Sequence, residues 1–360
     1  MIRTSPAPVE LDSVKSRRVG TMIETVLVTG ISGFIAKHVA LELLKQGHNV
    51  RGTVRSPNRA DSVRKTLAAH GGDVGRLSFV VADLNGDEGW QDAVAGCRYV
   101  QHIASPFPLH QPRGREDLVP AARQGALRVL AAAKSAGAER VVMTSSMVAM
   151  MYRANRPAEM TVHDGDWTDP DWKSATPYII SKTRAEHAAW DYMKREWAPE
   201  RLVAVNPGFV LGPALDADIG TSLQALAMLL KGAYPAVPPV DFPVVDVRDL
   251  AAVHVAAMAP AAGGRRLIAT RETWSMSRMG QEMRAAHPDR ARKIPVGVLP
   301  APVVRLMSVF DASLRTLRAD LGVRPTGDSA ETTRLTGVTF RPAAEAVRAA
   351  SASLIAHGLA

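Results

Sequence analysis

Tyr178 and Lys182 stand four residues apart in the stretch PYIISKTRAEHAAW, residues 177–190. Side chains at that spacing stack on one face of a helix. A free phenol titrates near pH ~10 and is a poor base at neutral pH. An ammonium group beside it favours the phenolate and is expected to lower that value. The pair could then exchange a proton with a substrate oxygen. The same letters also arise from a half-buried tyrosine with a snorkelling lysine, so the spacing needs company. It has some in TSS, residues 144–146, which closes an apolar run. A serine hydroxyl at a strand end can donate to a carbonyl oxygen and stabilise charge there. Both Ser145 and Ser146 qualify, with a turn or helix-cap role as the plainer alternative.

A second motif supplies the redox partner. VTGISGFIAKHV places Gly30, Gly33 and Ala36 between an apolar run and a helical pattern. That is the setting of a dinucleotide fingerprint: a tight turn, a close backbone approach to pyrophosphate, and a small residue where helix meets strand. Free N–H groups and the positive helix end would face the phosphates. The next strand ends in Arg55, with Arg59 nearby, where an NAD site usually carries an acid. Arginine suits a ribose 2′-phosphate, so the expected cofactor is NADP(H). A bound nicotinamide would exchange hydride with the substrate while Tyr178 moves the proton. Lys182 could also bond its ribose. Asp83 would either flank the adenine or cap the following helix.

Apolar runs at 25–30, 49–55, 77–84, 99–105, 140–146 and 201–208 read as strands, and 34–47, 87–96, 123–137 and 177–190 as helices. Alternating strands and helices with near-continuous apolar strands predict an α/β fold, a doubly wound parallel sheet of Rossmann type. Beyond Pro207 the texture changes: PAVPPVDFPVVDV is proline-dense and 271–360 is mostly helical. This predicts a cofactor domain over 22–206, rejoined by 243–270. A smaller, mostly helical substrate lobe is expected from 207–242 and 271–360, with a flexible extension at 1–21.

The 360 residues are 46% hydrophobic and 22% charged, enough for a large core. The formal charge of +9 is scattered, and no zinc-finger, RNP-like or basic-stripe pattern accompanies it, so nucleic acid is not an expected partner. No apolar run has membrane-spanning length, and no signal-peptide pattern opens the chain. Cys97 is the only cysteine, which rules out an intrachain disulfide and fits a reducing, cytoplasmic setting. His102, His163, His187 and His254 lack metal-ligand spacing, and no metal is expected. Phe107, Met147, Phe209 and Phe242 are candidate pocket hydrophobes, and Arg248 between Asp246 and Asp249 reads as structural.

Together with VRGTVRS, VVADLNGDEGWQDAVAGCRYVQHIASPF, VVMTSS, NPGFVLGP and DFPVVDVRDLAAVHVAAM, these motifs make the chain resemble an extended short-chain dehydrogenase/reductase over about residues 22–360. The similar group contains dihydroflavonol reductases, cinnamoyl-CoA reductases and microbial aldehyde or ketone reductases. The resemblance implies Ser146 as the carbonyl polariser, Tyr178 as the acid in the reductive direction and Lys182 as its tuner. It implies an NADP site lined by Gly30, Ile31, Ser32, Gly33, Phe34, Ile35, Arg55, Asp83 and Leu84. Ile103, Ala104 and Ser105 should continue that lining. Pro207, Gly208, Phe209, Val210 and Ser222 should flank the nicotinamide end. It also implies a homodimer through the helix bearing Tyr178 and the helix before it. Met147, Val148 and Ala149 after the serines, AARQGALRVL on the preceding helix and SPFPLHQPRG in the substrate-facing loop depart from the group's pattern.

The expected function is NADPH-dependent reduction of a small, apolar or aromatic aldehyde or ketone to an alcohol. Two other readings keep the fold: a nucleotide-sugar epimerase or dehydratase with retained NAD, and a non-catalytic NADP sensor or scaffold.

Overall fold

The computed structural model describes residues 23–105 and 114–360, with the side chains of residues 312 and 313 left aside. The expected extension at 1–21, Phe107 and most of SPFPLHQPRG lie outside the described residues.

The first half of the chain alternates as anticipated. It runs β1 (Thr25–Val28), α1 (Phe34–Lys45), β2 (Asn49–Val54), α2 (Asn58–Ala69), β3 (Leu77–Val81), α3 (Trp90–Val94), β4 (Tyr99–His102), α4 (Val119–Ser135) and β5 (Arg140–Thr144). Then come β6 (Glu159–Val162), α5 (Pro177–Glu196), β7 (Leu202–Pro207), β8 (Phe209–Leu211), α6 (Thr221–Lys231), β9 (Asp241–Asp246), α7 (Val247–Ala256) and β10 (Arg266–Ala269). The remainder is β11 (Glu272–Ser275), α8 (Met276–Ala286), α9 (Ala301–Met307), α10 (Ala312–Thr316), β12 (Arg324–Gly327), α11 (Ala330–Thr336) and α12 (Ala343–Ala356).

Seven strands form one sheet in the order β10-β7-β5-β4-β1-β2-β3. Every pairing in it is parallel. Helices α1 and α7 pack together over one face, and α4 lies against α5 over the other. Burial on both faces explains why these strands are apolar at nearly every position. The order reverses between β1 and β4, and the carboxyl ends on either side of that switch point open a crevice. A three-stranded sheet, β11-β9-β8, and a parallel pair, β12-β6, complete the fold.

Strands end earlier than the apolar runs suggest. β4 stops at His102 and β3 at Val81, and Ile103–Ser105 and Asp83–Leu84 become crevice loops. Loop residues that line a pocket stay small or apolar, so composition alone overextends the strands. α3 is short because Gly89 precedes it at φ 77°. A Cβ at Gly89 would stand 2.0 Å from the Val81 carbonyl oxygen. No helix among the described residues is long and apolar enough to cross a membrane.

Candidate functional site

β1 leaves the sheet at Val28 and turns at Gly30, whose φ of 59° is left-handed. A Cβ on Gly30 would also stand 2.8 Å from the Ala104 Cβ, so only glycine lets the turn lie this close to the loop after β4. The Gly30 N–H is fixed by the Thr53 hydroxyl at 2.8 Å, and Gly33 opens α1. The first-turn N–H groups of α1 have no intrahelical acceptors and face the crevice. Around this turn lies a cleft of about 440 Å³. Gly30, Ser32, Gly33, Phe34 and Ile35 line one side of it, and Asp83, Leu84, Ile103, Ala104 and Ser105 another. Pro207, Gly208, Val210 and Ser222 close the far end.

Two of the residues named from the sequence fall elsewhere. Ile31 has no exposed surface, and its side chain lies against the strand where a Cβ on Gly52 would meet it at 2.6 Å. It is core packing under the turn. Phe209 lines a neighbouring cavity instead. Arg55 is exposed at the end of β2, lines the cleft and pairs with no acid among the described residues. Arg59 points elsewhere, to Asp218 at 3.4 Å. Asp83 both lines the cleft and caps a turn, its Oδ1 accepting from the Asn85 N–H at 2.9 Å.

Beyond the seam a second cavity of about 560 Å³ opens. Ser146, Tyr178, Pro207, Gly208, Thr221 and Ser222 line both spaces. Met147, Met151, Phe209, Phe242, Leu299 and Leu317 make most of the second one apolar. Phe209 and Phe242 stack with ring centroids 4.7 Å apart. No lysine, arginine or histidine among the described residues lines it.

The polar seam is set by α5. Thr176 caps the helix, accepting from the Ile179 N–H at 3.3 Å, and Pro177 takes the first position. Tyr178 and Lys182 both face the cofactor cleft from one stripe of this helix. Ser146, in extended backbone just past β5, accepts from the Val148 N–H at 3.3 Å. It also shares a hydrogen bond with Tyr178. Ser145 is committed elsewhere, donating to Glu186 at 2.5 Å.

The electrostatics differ from the expectation in one respect. Burial pushes the Tyr178 phenol above its ordinary value, and the Ser146 hydrogen bond only opposes this. The anticipated lowering by Lys182 does not prevail in the polypeptide alone. Burial instead lowers Lys182 to about 8, with the Glu186 charge pulling it back up. The ammonium is thus held one turn from a carboxylate, which draws part of its field away from the phenol.

Glu186 is fully buried. It accepts from Arg266 Nε at 2.6 Å, Asn206 Nδ2 at 2.9 Å and Trp190 Nε1 at 3.2 Å. It was legible as the next member of the Tyr178–Lys182 stripe, four residues on, but the sequence reading passed over it. Thr53 and Thr221 were also missed, and no local pattern marks them. On the same helix Ala185 and Ala189 are buried within the chain. Cys97 is buried and its thiol is pushed up by burial. Arg248 bonds Asp246 and Glu345. No grouping of three or more His, Cys, Asp or Glu that could hold a metal occurs among the described residues.

Three comparisons bear on this arrangement. The model of the NAD dependent epimerase/dehydratase family matches residues 26–268. Cinnamoyl-CoA reductase CAD2 of Medicago truncatula is 37% identical over 251 residues, 68% of this chain and 76% of that protein. Ketoreductase azaE of Aspergillus niger is 31% identical over 317 residues, 82% of this chain and 91% of that one. Among solved structures, yeast methylglyoxal/isovaleraldehyde reductase Gre2 complexed with NADPH superposes with a TM-score of 0.76 at 27% identity, covering 93% of this chain and 100% of the other.

Proposed function

The chain belongs to the NAD dependent epimerase/dehydratase family, and on that premise we propose the reaction it runs: reduction of a small aldehyde or ketone to an alcohol, with Tyr178 as the proton donor. It is an NADP-dependent oxidoreductase. The observation that carries the proposal is the seam: Tyr178 and Ser146 are walls of both cavities at once.

The residues fit an NADP molecule. The Gly30 turn has no room for a Cβ, α1 offers its first-turn N–H groups, and Arg55, which lines the cleft with no acid partner among the described residues, would meet the 2′-phosphate. NADPH held by these residues would supply the hydride that the carbonyl carbon takes up. Ser146 and Tyr178 hold the carbonyl oxygen at the seam and polarise it. Tyr178 passes its phenolic proton to that oxygen as the C=O becomes CH–OH. A phenol raised by burial keeps its proton until the oxygen becomes basic. Lys182 is cationic at neutral pH and offsets the phenolate that remains. Glu186, clamped by Arg266, places a carboxylate charge one turn along the stripe that favours the lysine's charged form.

The same reading includes a cytoplasmic setting and a homodimer through the outer faces of α4 and α5; a monomer mass by light scattering would remove the dimer. The test of the chemistry is NADPH oxidation across a panel of aldehydes and ketones. Tyr178→Phe should lower kcat/KM at least about a thousandfold, within the range of general-acid catalysis, and leave NADPH affinity within a few fold. Undiminished turnover in that variant would defeat the assignment. Redox-neutral conversion of a sugar nucleotide, without net NADPH oxidation, would move the chain to an epimerase activity instead.

A further inference from the structure

The apolar cavity contains one buried acid that the proposed hydride and proton transfer do not use. Asp320 is 9% exposed, yet it lines the cavity. Its Oδ1 accepts from the Tyr152 hydroxyl at 2.7 Å, across 168 residues of chain. Tyr152 is itself 4% exposed. It lies near enough to Tyr178 for a charge there to raise the Tyr152 phenol further. The Arg156 guanidinium sits 4.5 Å above the Tyr152 ring, its charge acting on Asp320, and bonds the Ala319 carbonyl.

An acid buried among methionines and leucines is costly unless something uses it. A carboxylate offers about four lone-pair sites, and Tyr152 is the one hydrogen-bond donor to it among the described residues. Asp320 brings that remaining capacity to the cavity lining. Asp311, the other acid lining this space, is exposed and accepts from the Leu314 N–H at 3.2 Å. With two acids and no lysine, arginine or histidine, the described lining offers an anionic substrate no cationic side chain. A cationic substrate gains little, because Arg156 already offsets the Asp320 charge and an ammonium would lose its water in an apolar space. What remains is a neutral donor.

We propose that Asp320, positioned by Tyr152, is the polar recognition point of the substrate cavity, and that the substrate is an uncharged, largely apolar carbonyl compound bearing a hydroxyl that donates to this carboxylate. The proposal rests on the reading of the site as a carbonyl reductase, and names the substrate class that reading leaves open. The hydroxyl and the carbonyl belong to one small molecule, spanning from Asp320 to the Ser146–Tyr178 seam.

The test uses benzylacetone, its three ring-hydroxylated isomers and its ring-carboxylated counterparts with NADPH. At least one hydroxylated isomer should exceed benzylacetone in kcat/KM by about tenfold, the worth of one hydrogen bond to a charged group. The carboxylated compounds should fall about tenfold or more below it, because a like charge meets Asp320. In Asp320→Leu the hydroxyl advantage should vanish, read as the ratio of kcat/KM for each hydroxylated isomer to that for benzylacetone within the variant. Asp320→Asn keeps the shape and an acceptor, so it guards against a folding failure of the leucine variant. It should retain part of the hydroxyl advantage and admit the carboxylated ketones. Equal kcat/KM for benzylacetone and all its hydroxylated isomers, or an advantage that survives in Asp320→Leu, overturns the proposal alone. No NADPH oxidation with any compound, while a sugar nucleotide is converted, takes down the reductase reading and this inference with it.

Discussion

The two cavities that meet at Tyr178 are built from opposite materials. The cleft of about 440 Å³ is framed by backbone, by a glycine turn whose shape excludes a Cβ, and by the exposed cation Arg55. The cavity of about 560 Å³ is framed by side chains, mainly methionine, phenylalanine, leucine and proline. A dinucleotide carries dense, fixed charge, so it is met by N–H groups that cannot turn away. A small carbonyl compound carries little, so it is met by a shape that excludes water. Ser146 and Tyr178 sit where the two meet, and burial governs the electrostatics there. Burial raises the Tyr178 phenol and lowers the Lys182 ammonium, so that each resists charging. The Tyr178 phenol is therefore held in its protonated form by the apolar side, the form the proposed reduction needs.

Lys182 belongs to the cofactor side of this boundary but acts on Tyr178, so changing it should disturb both. Lys182→Met is expected to cut kcat/KM about a hundredfold or more, since it removes the cation that offsets the phenolate. The native enzyme should show the same dependence in its pH profile. A lysine with its pKa lowered to about 8 is charged below that pH and neutral above it. Reduction should therefore decline as pH rises through about 8, while Tyr178, shifted upward, stays protonated across the same range. Lys182→Arg should push that decline to higher pH. A kcat/KM profile that stays flat well beyond pH 8 would mean the lysine's charge has no part in the reaction.

Arg55 belongs to one side only. Arg55→Ala should reduce the preference for NADPH over NADH by about ten- to a hundredfold, the range of one lost charge-assisted contact to phosphate. The ketone KM at saturating cofactor should not move. An unchanged preference would show that the 2′-phosphate is held by other groups. Arg59 is the next to examine, because its pairing with Asp218 at 3.4 Å is exposed and weak.

The same division governs what the sequence could reveal. The cofactor turn is contiguous: Gly30, Gly33 and Ala36 constrain one another over a few residues, so their spacing announces the geometry. Tyr178 and Lys182 are joined by a single helix, which carries Glu186 at the next step of the same stripe. Ile31 misled because it lies inside the motif, yet its side chain turns down into the core. Phe209 misled because Gly208 and Val210 on either side do line the cleft, and alternate side chains of an extended segment face opposite ways. The substrate cavity is different in kind. Tyr152 and Asp320 touch across 168 residues, and nothing near either one marks the contact. The direction of the Tyr178 shift was also out of reach, since it depends on how much water the far wall excludes.

The smallest expected effect tests whether the two sides are independent. Phe242, on β9, stacks on Phe209 at 4.7 Å and an interplanar angle of 21°. The backbones beneath them are locked: a Cβ at Gly208 would lie 2.2 Å from the Pro243 carbonyl oxygen. Removing one ring should therefore empty space in the cavity without moving the strands. Phe242→Ala loses an aromatic pair and some apolar contact, about 1 kcal/mol of it specific to the stacking. That loss is felt equally by bound ketone and transition state, so KM for an aromatic ketone should rise roughly three- to tenfold with kcat nearly unchanged. NADPH affinity, measured by titration without ketone, should stay at its native value. If the cofactor's Kd shifts as far as the ketone's KM, the walls respond as one unit, and the contrast between a backbone-built cleft and a side-chain-built cavity does not describe how this enzyme binds.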